Sequence, residues 1–564
     1  VRILGLNHSN DAAAALSVGG HIVAASAEER FSRLKHDRHF PHQAKDFALS
    51  TLPGGLDDCD AVAFFWNPLL HMDASNRRLT DAPRNHLEYL YSLPNQLFGG
   101  QDHSDVPYIA LEIPRPGGGK HKLFFVTHHL CHAAHAFFES PFEEAAILTV
   151  DGYGERITTQ ICVGRGNSIE PVLSIPFPHS LGSVYAAFTQ YLGFRANNGE
   201  GKVMGLASYG TPRYRDLLNK MVRPTAEGFE VDLSWFDYMR DGRRRFSGRL
   251  VDALGPERAP ESELSQHHMD VAASLQALTE DLLLHLAALA KEKTGLDNLC
   301  MSGGVALNCV ANGRIAAESG FDECFFQPAC HDAGTSAGAA LFTHHVIYGN
   351  DRKPLDMKTD YLGPQWTSDS IRSELEKAGL GFHEPANLAE HAGGRLNQGR
   401  ILGRFQGRAE FGPRALGNRS ILAAPGPEEV KDTLNARVKF REGFRPFAPS
   451  VDRDACGRYF DCDKESPFML RVYQTRDEHR ERLGAVTHVD GGARVQTVDA
   501  ARNPEYLDLI RAYGRASGTD CVLNTSFNIR GEPIVHSPKD ALKCFFTTDM
   551  DDLYLGPFHV EKKV

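Results

Sequence analysis

The stretch VRILGLNHSNDAAAALSVGGHIVAASAEE, residues 1–29, decides the fold. It parses as a strand VRILGLN, a polar turn, a second strand DAAAALSV, a Gly19–Gly20 turn and a third strand HIVAASAEE. Short apolar runs bounded by Gly, Asn and Asp read as strands joined by tight connections. The phrase returns at Ala145, where AAILTVDG leads to ERITTQICV, a GRGN turn and SIEPVLSI. Two copies of strand, polar turn, strand, Gly hairpin, strand predict a duplicated α/β domain.

Each half of the actin, hexokinase and Hsp70-like nucleotide-binding fold begins in this way, so the pattern resembles that fold. The chain has 564 residues, too many for one hydrophobic core. Residues 269–293 place Val271, Leu275, Leu278, Leu282, Leu286 and Leu289 on one helical stripe, with Gly295 positioned to cap the end. They lead into NLCMSGGVALN, an apolar strand that breaks at Gly303–Gly304, and later into QPACHDAGTSAGAALF, where small residues open a helix. The polar, Pro- and Gly-bearing stretch 349–370 reads as a domain boundary.

Apolar residues make up 42% and charged residues 24%, the mix of an ordinary globular protein. A net charge of −11 and a pI near 6.2 argue against nonspecific binding to nucleic acid or to an anionic membrane. Eleven scattered cysteines without a CxxC pair suit a reduced compartment. With no apolar run of about 18 residues and an opening that reads as a strand, the expected location is cytoplasmic and no membrane partner is expected.

The segment VTHHLCHAAHAFF (126–138) carries four histidines on what reads as a core helix. His128 and His132, four residues apart, share a face and can hold one metal ion. His129 stands where a helical zinc protease needs its Glu base, which excludes a zinc peptidase. Asp151 ends the AAILTV strand, and Asp332 sits at the start of the TSAGAALF helix. Taken singly, Asp332 reads as a helix N-cap and Asp151 as a turn acid. Together, two His and two Asp also make an oxygen-and-nitrogen site suited to Fe(II), Zn or Mn.

Further along, NNGEGKVMGLASYG (197–210) sets Lys202 amid glycines, as a loop whose ammonium could meet a phosphate or simply be solvated. Gly303, Gly304 and Asn308 form a turn that either cradles an adenosine or phosphate or only joins strand to helix. From 400 to 450 ten Lys/Arg (Arg400, Arg404, Arg408, Arg414, Arg419, Lys431, Arg437, Lys439, Arg441, Arg445) face five acids, a charge reversal in an acidic chain. With LNTSFNIRGEPIV (523–535), this run predicts an anion site built from Arg, Lys, Ser and Asn. No Walker A loop or GxGxxG fingerprint is present.

At these residues the chain resembles the O-carbamoyltransferases of the NodU/CmcH type. The pieces that carry the resemblance run in one order along nearly the whole length: GLN and DAAAAL (5–16), EERFSRLKHD (28–37), HHLCHAAHAFF, VDGYGE (150–155), EGKVMGLASYG, SGGVALN, FGPRALGNRS, VKFREGFRPFAPS and LNTSFNIRGEPI. The resemblance implies an actin-like (ribonuclease H-like) carbamoyl-transfer domain with a metal site over 1–355. A YrdC-like α/β domain over 356–540 would form carbamoyl adenylate, and a segment 541–564 would pack back on the first domain. It implies ATP with Mg, an iron-type divalent metal, carbamoyl phosphate as donor and a small hydroxyl-bearing acceptor of secondary metabolism such as an antibiotic. No nucleic acid is implied, and a homodimer is allowed.

By matching motifs, His128, His132, Asp151 and Asp332 fall on the metal ligands. Arg414, Lys439, Arg494, Asn524, Ser526 and Asn528 fall on the carbamoyl-phosphate and ATP site, with Lys439 and Ser526 in catalytic positions. Lys35, Lys202, Gly303, Gly304 and Asn308 fall where the transfer domain is expected to hold carbamoyl adenylate. One departure matters: the family usually reads His-Asp where this chain has Asn10–Asp11. Asn cannot take a proton at neutral pH, so His8 or Asp11 would have to act as base, or the transfer step is slowed. The runner-up readings are a tRNA threonylcarbamoyl-type transferase and a non-catalytic nucleotide-binding protein. Loops 67–105 and 211–265 are expected to shape the acceptor pocket, with NPLLHM and HLEYLYSLPNQLF hinting at a partly hydrophobic acceptor.

Overall fold

Apolar side chains at Ile3, Leu4 and Leu6 and the alanines of 12–15 are buried where three strands form: β1 (Arg2–Asn7), β2 (Ala13–Val18) and β3 (His21–Ala27). The β2–β3 hairpin turns on Gly19 and Gly20, at φ 60° and 85°, the left-handed pair that a two-residue hairpin demands. The computed structural model describes residues 1–68, 106–115, 118–239, 244–354 and 360–562. The chain divides into two units, Val1–Ala25 with Arg38–Met357, and Ser26–Asp37 with Lys358–Val564.

In the first unit, β4 (Ala61–Phe64), β5 (Tyr108–Pro114) and β6 (Lys120–Val126) complete a sheet of order β3-β2-β1-β4-β6-β5. β1 runs antiparallel to β2 and parallel to β4, and β4 runs parallel to β6. A second sheet uses β7 (Glu144–Val150), β8 (Ile157–Arg165), β9 (Ser168–Pro176), β12 (Asn298–Ser302) and β13 (Glu323–Phe326), after a separate hairpin of β10 (Val222–Thr225) and β11 (Gly228–Val231). Its order is β13-β12-β7-β8-β9, with β7 antiparallel to β8 and parallel to β12, and β12 parallel to β13. Thus β9-β8-β7-β12-β13 repeats β3-β2-β1-β4-β6 strand for strand, and β5 adds an antiparallel edge to the first copy.

The helix His128–Phe138 follows β6 and is buried at every residue, its four histidines included. The helix Gly334–Phe342 follows β13 and packs against the His128–Phe138 helix and β1. The approach depends on absent side chains: a Cβ at Gly338 would overlap the carbonyl of Cys131, and one at Gly5 would overlap the carbonyl of Ser336. The long helix Gln266–Thr294 buries the predicted leucine stripe and ends on Gly295 at φ 66°.

The second unit holds β14 (Leu402–Phe405), β15 (Arg419–Ala423), β16 (Ala448–Asp452), β17 (Val472–Gln474), β18 (Gly492–Arg494), β19 (Gln496–Val498), β20 (Cys521–Ser526), β21 (Asp552–Leu555) and β22 (Phe558–Glu561). Seven of these form one sheet, β19-β16-β20-β15-β14-β21-β22, while β17 and β18 pair separately. Alternation along the strands sends Leu402, Leu422 and Val522 to a core with Ala392, Leu396 and Ile510 of the helices Leu388–Asn397 and Pro504–Ser517. Phe405, Ile421 and Leu523 face a larger core with Leu375, Ala541 and Phe545 of the helices Ser368–Lys377 and Pro538–Phe546.

Two expectations change here. The tail expected to pack back on the first domain is, over residues 541–562, part of the second unit, because Leu402–Phe405 hydrogen-bonds in parallel with Asp552–Leu555 and so builds it into the sheet. The segment 26–37, placed by the sequence reading in the first domain, belongs to the second unit. There Arg30 donates to the Gly412 carbonyl (2.7 Å), and Arg33 donates to those of Ile534 (2.7 Å) and Pro533 (2.8 Å). Among the described residues no helix is long and apolar enough to cross a membrane, and the described cysteines are free thiols.

Candidate active site

Four side chains from three parts of the first unit converge. The His128–Phe138 helix presents His128 and His132 one turn apart, the end of β7 presents Asp151, and the turn before Gly334 presents Asp332. One ligand atom from each lies within 4.8 Å of the others. His128 Nε2 is 3.0 Å from Asp151 Oδ2 and 3.7 Å from Asp332 Oδ1; His132 Nε2 is 3.6 Å and 3.9 Å from the same atoms. The two imidazole Nε2 atoms are 3.1 Å apart.

Each donor is held from behind. The Ser302 hydroxyl donates to the Cys330 carbonyl (3.3 Å) and so accepts from His132 Nδ1–H (3.3 Å), which leaves the Nε2 lone pair facing the centre. Asp151 Oδ1 accepts from the Gly304 amide at 3.0 Å, and Asp332 Oδ2 accepts from the Ser9 hydroxyl at 2.6 Å. The helix N-terminus itself is capped by Glu155, whose carboxylate accepts from His128 N–H (3.0 Å) and Asn67 N–H (2.7 Å). The remaining two histidines have structural partners, Thr149 Oγ1 for His129 at 2.7 Å and Glu139 for His135 at 3.0 Å.

The electrostatics mark a site built around positive charge. Burial alone would lower His128, but the Asp151 hydrogen bond and the Asp332 charge carry it up to about 9. Burial and the charge of His128 bring His132 down to about 4. Burial and the Asp151 charge push Asp332 up to about 7. Burial opposes ionisation of Asp151 too, yet its hydrogen bonds to His128 and His132 hold it well below the usual carboxylate range. Two carboxylates and two imidazoles that share protons in this way form a donor set that fits a divalent cation of the Fe, Zn or Mn kind.

Asp332 is not the helix cap that its position suggested. Ala333 is the N-cap residue and no side chain caps that helix, because the carboxylate is turned to Ser9 and the imidazoles. The β1–β2 turn carrying His8, Asn10 and Asp11 is anchored beside it, since Asn7 Nδ2 donates to the backbone carbonyls of Asp332 and Asp11. Burial lowers His8, whose ring meets Phe65 edge-on at 5.5 Å, so it is neutral at pH 7. Phe65 and Trp66 also stand edge-on to His128, at 5.7 and 5.5 Å.

The expected nucleotide residues of the first unit are placed differently from the sequence reading. Gly303 sits at φ 95° with no room for a Cβ beside the Val150 carbonyl, so the Gly303–Gly304 turn serves to bring an amide onto Asp151. Asn308 caps the helix Cys309–Glu318 and pairs with Gln276 through two 3.0 Å amide hydrogen bonds. Lys202 is on a helix, Glu200–Ala207, and not in a loop, with its ammonium 5.4 Å from the Phe194 ring centre. Lys35 lies exposed in the segment 26–37 of the second unit.

Within that unit Lys439 is buried at the end of a helical turn, Asn435–Lys439. Its ammonium donates to the carbonyls of Ser526 (2.8 Å) and Asn528 (2.9 Å) and to Asn528 Oδ1 (2.6 Å). Ser526 Oγ donates to the same amide oxygen at 2.7 Å. Asn524 donates to Ser450 Oγ and Gln496 Oε1, both at 3.0 Å, while its own Oδ1 is buried without a protein partner. Burial and Arg441 push Lys439 well down, and burial with the charges of Arg445 and Arg494 does the same to Arg441. Arg445 is lowered by burial despite Glu442, with Arg494 and Arg530 adding repulsion.

Lys439, Arg441, Arg445, Arg494 and Arg530, with Glu442 beside them, are a charge set that suits an anion. Arg441 and Arg445 belong to the basic run 400–450 and Arg530 to the segment 523–535, the two stretches from which the sequence predicts an anion site. Arg494 Nε is buried without a protein partner. The structure does not send the whole basic run to this site. Arg419 is fully buried on the carbonyls of Gln406, Asn418 and Pro364, and buried Arg404 donates to Gly417 O at 2.9 Å; both are structural. NPLLHM extends beyond residue 68, and HLEYLYSLPNQLF lies wholly outside the described residues.

Comparison with known proteins gives matches over most of the chain. A carbamoyltransferase N-terminus model matches residues 2–341, and a carbamoyltransferase C-terminus model matches residues 393–562. The protein sll1178 of Synechocystis is 41% identical over 99% of this chain and 96% of its own length. Nodulation protein NolNO of Sinorhizobium fredii is 36% identical over 98% of this chain and 79% of its own. A 3'-hydroxymethylcephem-O-carbamoyltransferase of Amycolatopsis lactamdurans is 29% identical over 82% of this chain and 85% of its own.

Proposed function

Because the chain belongs to the carbamoyltransferase family, we propose that it is an ATP-dependent O-carbamoyltransferase with an actin-like transfer domain and a YrdC-like activating domain. In the second unit water hydrolyses carbamoyl phosphate to carbamate and phosphate. A carbamate oxygen then attacks the α-phosphorus of ATP, breaking its bond to the β-phosphate bridge to give carbamoyl adenylate and pyrophosphate. In the first unit an acceptor hydroxyl attacks the carbamoyl carbon, and AMP leaves. The acceptor proposed is a secondary metabolite, in line with the cephem named for one relative.

The observation that carries this reading is the convergence of His128, His132, Asp151 and Asp332, a set of donors that among the described residues has no Lys or Arg in its ion pairs. A divalent cation held there would neutralise charge developing on the departing adenylate. The protein's own groups do the rest. Ser302, Gly304 and Ser9 keep the four donors aimed inward, while Phe65 and Trp66 wall His128. His8, neutral and one residue from the Ser9 anchor, is placed to take the acceptor proton, with Asp11 as the other base. In the second unit Lys439, Arg441, Arg445, Arg494 and Arg530 attract phosphate oxygens, and Lys439 is oriented by Ser526 and Asn528.

Incubation with ATP and carbamoyl phosphate should release pyrophosphate, and Lys439→Met should abolish that release. Pyrophosphate formed only with threonine and bicarbonate would instead identify a threonylcarbamoyl-type enzyme, and none with either donor would leave a nucleotide-binding protein.

A further inference from the structure

The second unit contains another cluster of imidazoles, away from the Lys439 site. His559 lies on the edge strand β22, His383 bridges to it through backbone hydrogen bonds of 3.1 and 2.8 Å, and His391 lies on the helix Leu388–Asn397. Their ring centres are 4.9 Å (His383–His559), 4.7 Å (His391–His559) and 5.6 Å (His383–His391) apart, and one nitrogen of each lies within 4.8 Å of the others.

The orientation is what a metal requires. Buried His559 donates from Nε2 to Asp552 Oδ1 at 2.7 Å, so its lone pair is on Nδ1, which has no protein partner. Asp552 is itself fixed by Arg395, whose Nε donates to both carboxylate oxygens at 3.0 and 3.1 Å. His391 engages the Tyr554 hydroxyl through Nδ1 at 2.8 Å, leaving Nε2 available. A carboxylate behind one imidazole and a hydroxyl behind another are the usual supports of ligating histidines.

We propose that His383, His391 and His559 bind a transition-metal ion of the zinc class, separate from the catalytic centre, that ties the edge strand to the neighbouring helix. Three neutral imidazoles suit Zn²⁺, Ni²⁺ or Cu²⁺ and exclude Mg²⁺ or Ca²⁺. Tetrahedral zinc ligands stand roughly 3.3 Å apart, so binding draws the nitrogens together, and exposed His383 is the member free to move. His391 and His559 are far apart in sequence, so the ion closes a long loop and stabilises the unit by binding only the folded chain.

The test is Co²⁺ and Zn²⁺ titration of the intact, chelator-stripped chain, following stoichiometry and melting temperature. The native chain should take up two equivalents. His383→Ala, at an exposed position, should take up one and lose the Zn²⁺-induced rise in melting temperature, with pyrophosphate release unchanged. His391→Gln should behave likewise, and His132→Ala should lose the other equivalent. Unchanged stoichiometry and unchanged thermal response in both His383→Ala and His391→Gln would overturn the proposal.

Discussion

At the scale of single residues, the account assigns separate chemistry to His132 and Lys439, and the protons on the cluster give it a pH signature. A cation must displace the protons that keep His128 near 9 and Asp332 near 7. Its affinity should therefore climb as pH rises through about 7 toward about 9, by up to roughly tenfold per unit for each proton displaced; metal titrations at several pH values check this. The cation-free chain should show the opposite trend in stability. His128 is raised above its ordinary 6.5, so its contribution is complete below that value and is lost as pH rises through 9. Asp332 is likewise raised, and its neutral form is lost as pH rises through 7, so chelator-treated protein should melt lower at pH 9 than at pH 6. Asn10, in the turn anchored to Asp332, cannot serve as base. Asn10→His should speed carbamoyl transfer by about a hundredfold, the lower end of what general-base help typically supplies, with pyrophosphate release little changed. Equal effects on the two steps would remove the turn from the proton path. His128 and His132 were legible because helical spacing states which residues share a face, whereas Ser9 and Ser302 carry no signal in one dimension.

At the scale of elements, the site depends on how closely two helices approach. The glycine at 338 leaves no gap to the Cys131 carbonyl, so Gly338→Ala must push the Gly334–Phe342 helix away and move Asp332 with it. A loss of about 1–3 kcal/mol is expected, with weakened metal binding, read by thermal melts and titration. Gly201→Ala, on an exposed helix face with no atom near the added methyl, should instead be neutral or stabilising by up to about 1 kcal/mol. The paired strand motifs, the leucine stripe and its Gly295 cap were all readable because periodicity and turn chemistry are local. Glu155 was not, although it stands in the quoted VDGYGE motif, because its partner is a helix N-terminus 27 residues earlier. Asp332 taken singly read as a cap, and its place with His128, His132 and Asp151 came only from the set, because a carboxylate at a helix start has a local use and only folding shows that it is spent elsewhere. Lys202 was read as loop because glycines surround it, yet the packed Glu200–Ala207 turn overrides their low helix propensity.

At the scale of the whole molecule, the duplicated sheets position the first site and a seven-stranded sheet carries the second. The boundary near residue 357 was visible as a polar stretch, but the assignment of 26–37 to the second unit was not. Arg30 and Arg33, bonded to carbonyls some 380 to 500 residues away, and Phe31, whose ring centre is 4.3 Å from that of His536, reveal it. A fragment beginning at residue 358 should therefore have little pyrophosphate-releasing activity despite containing Lys439, and adding a peptide of residues 26–37 should restore part of it; full activity in the bare fragment would contradict this. The central claim is a division of labour, with activation at Lys439 and transfer at the His–Asp cluster. Its most direct test compares pyrophosphate release from ATP and carbamoyl phosphate by the native chain, Lys439→Met and His132→Ala. The account predicts release by the native chain and by His132→Ala, and none by Lys439→Met; release that survives Lys439→Met, or that His132→Ala abolishes in folded protein, would contradict it.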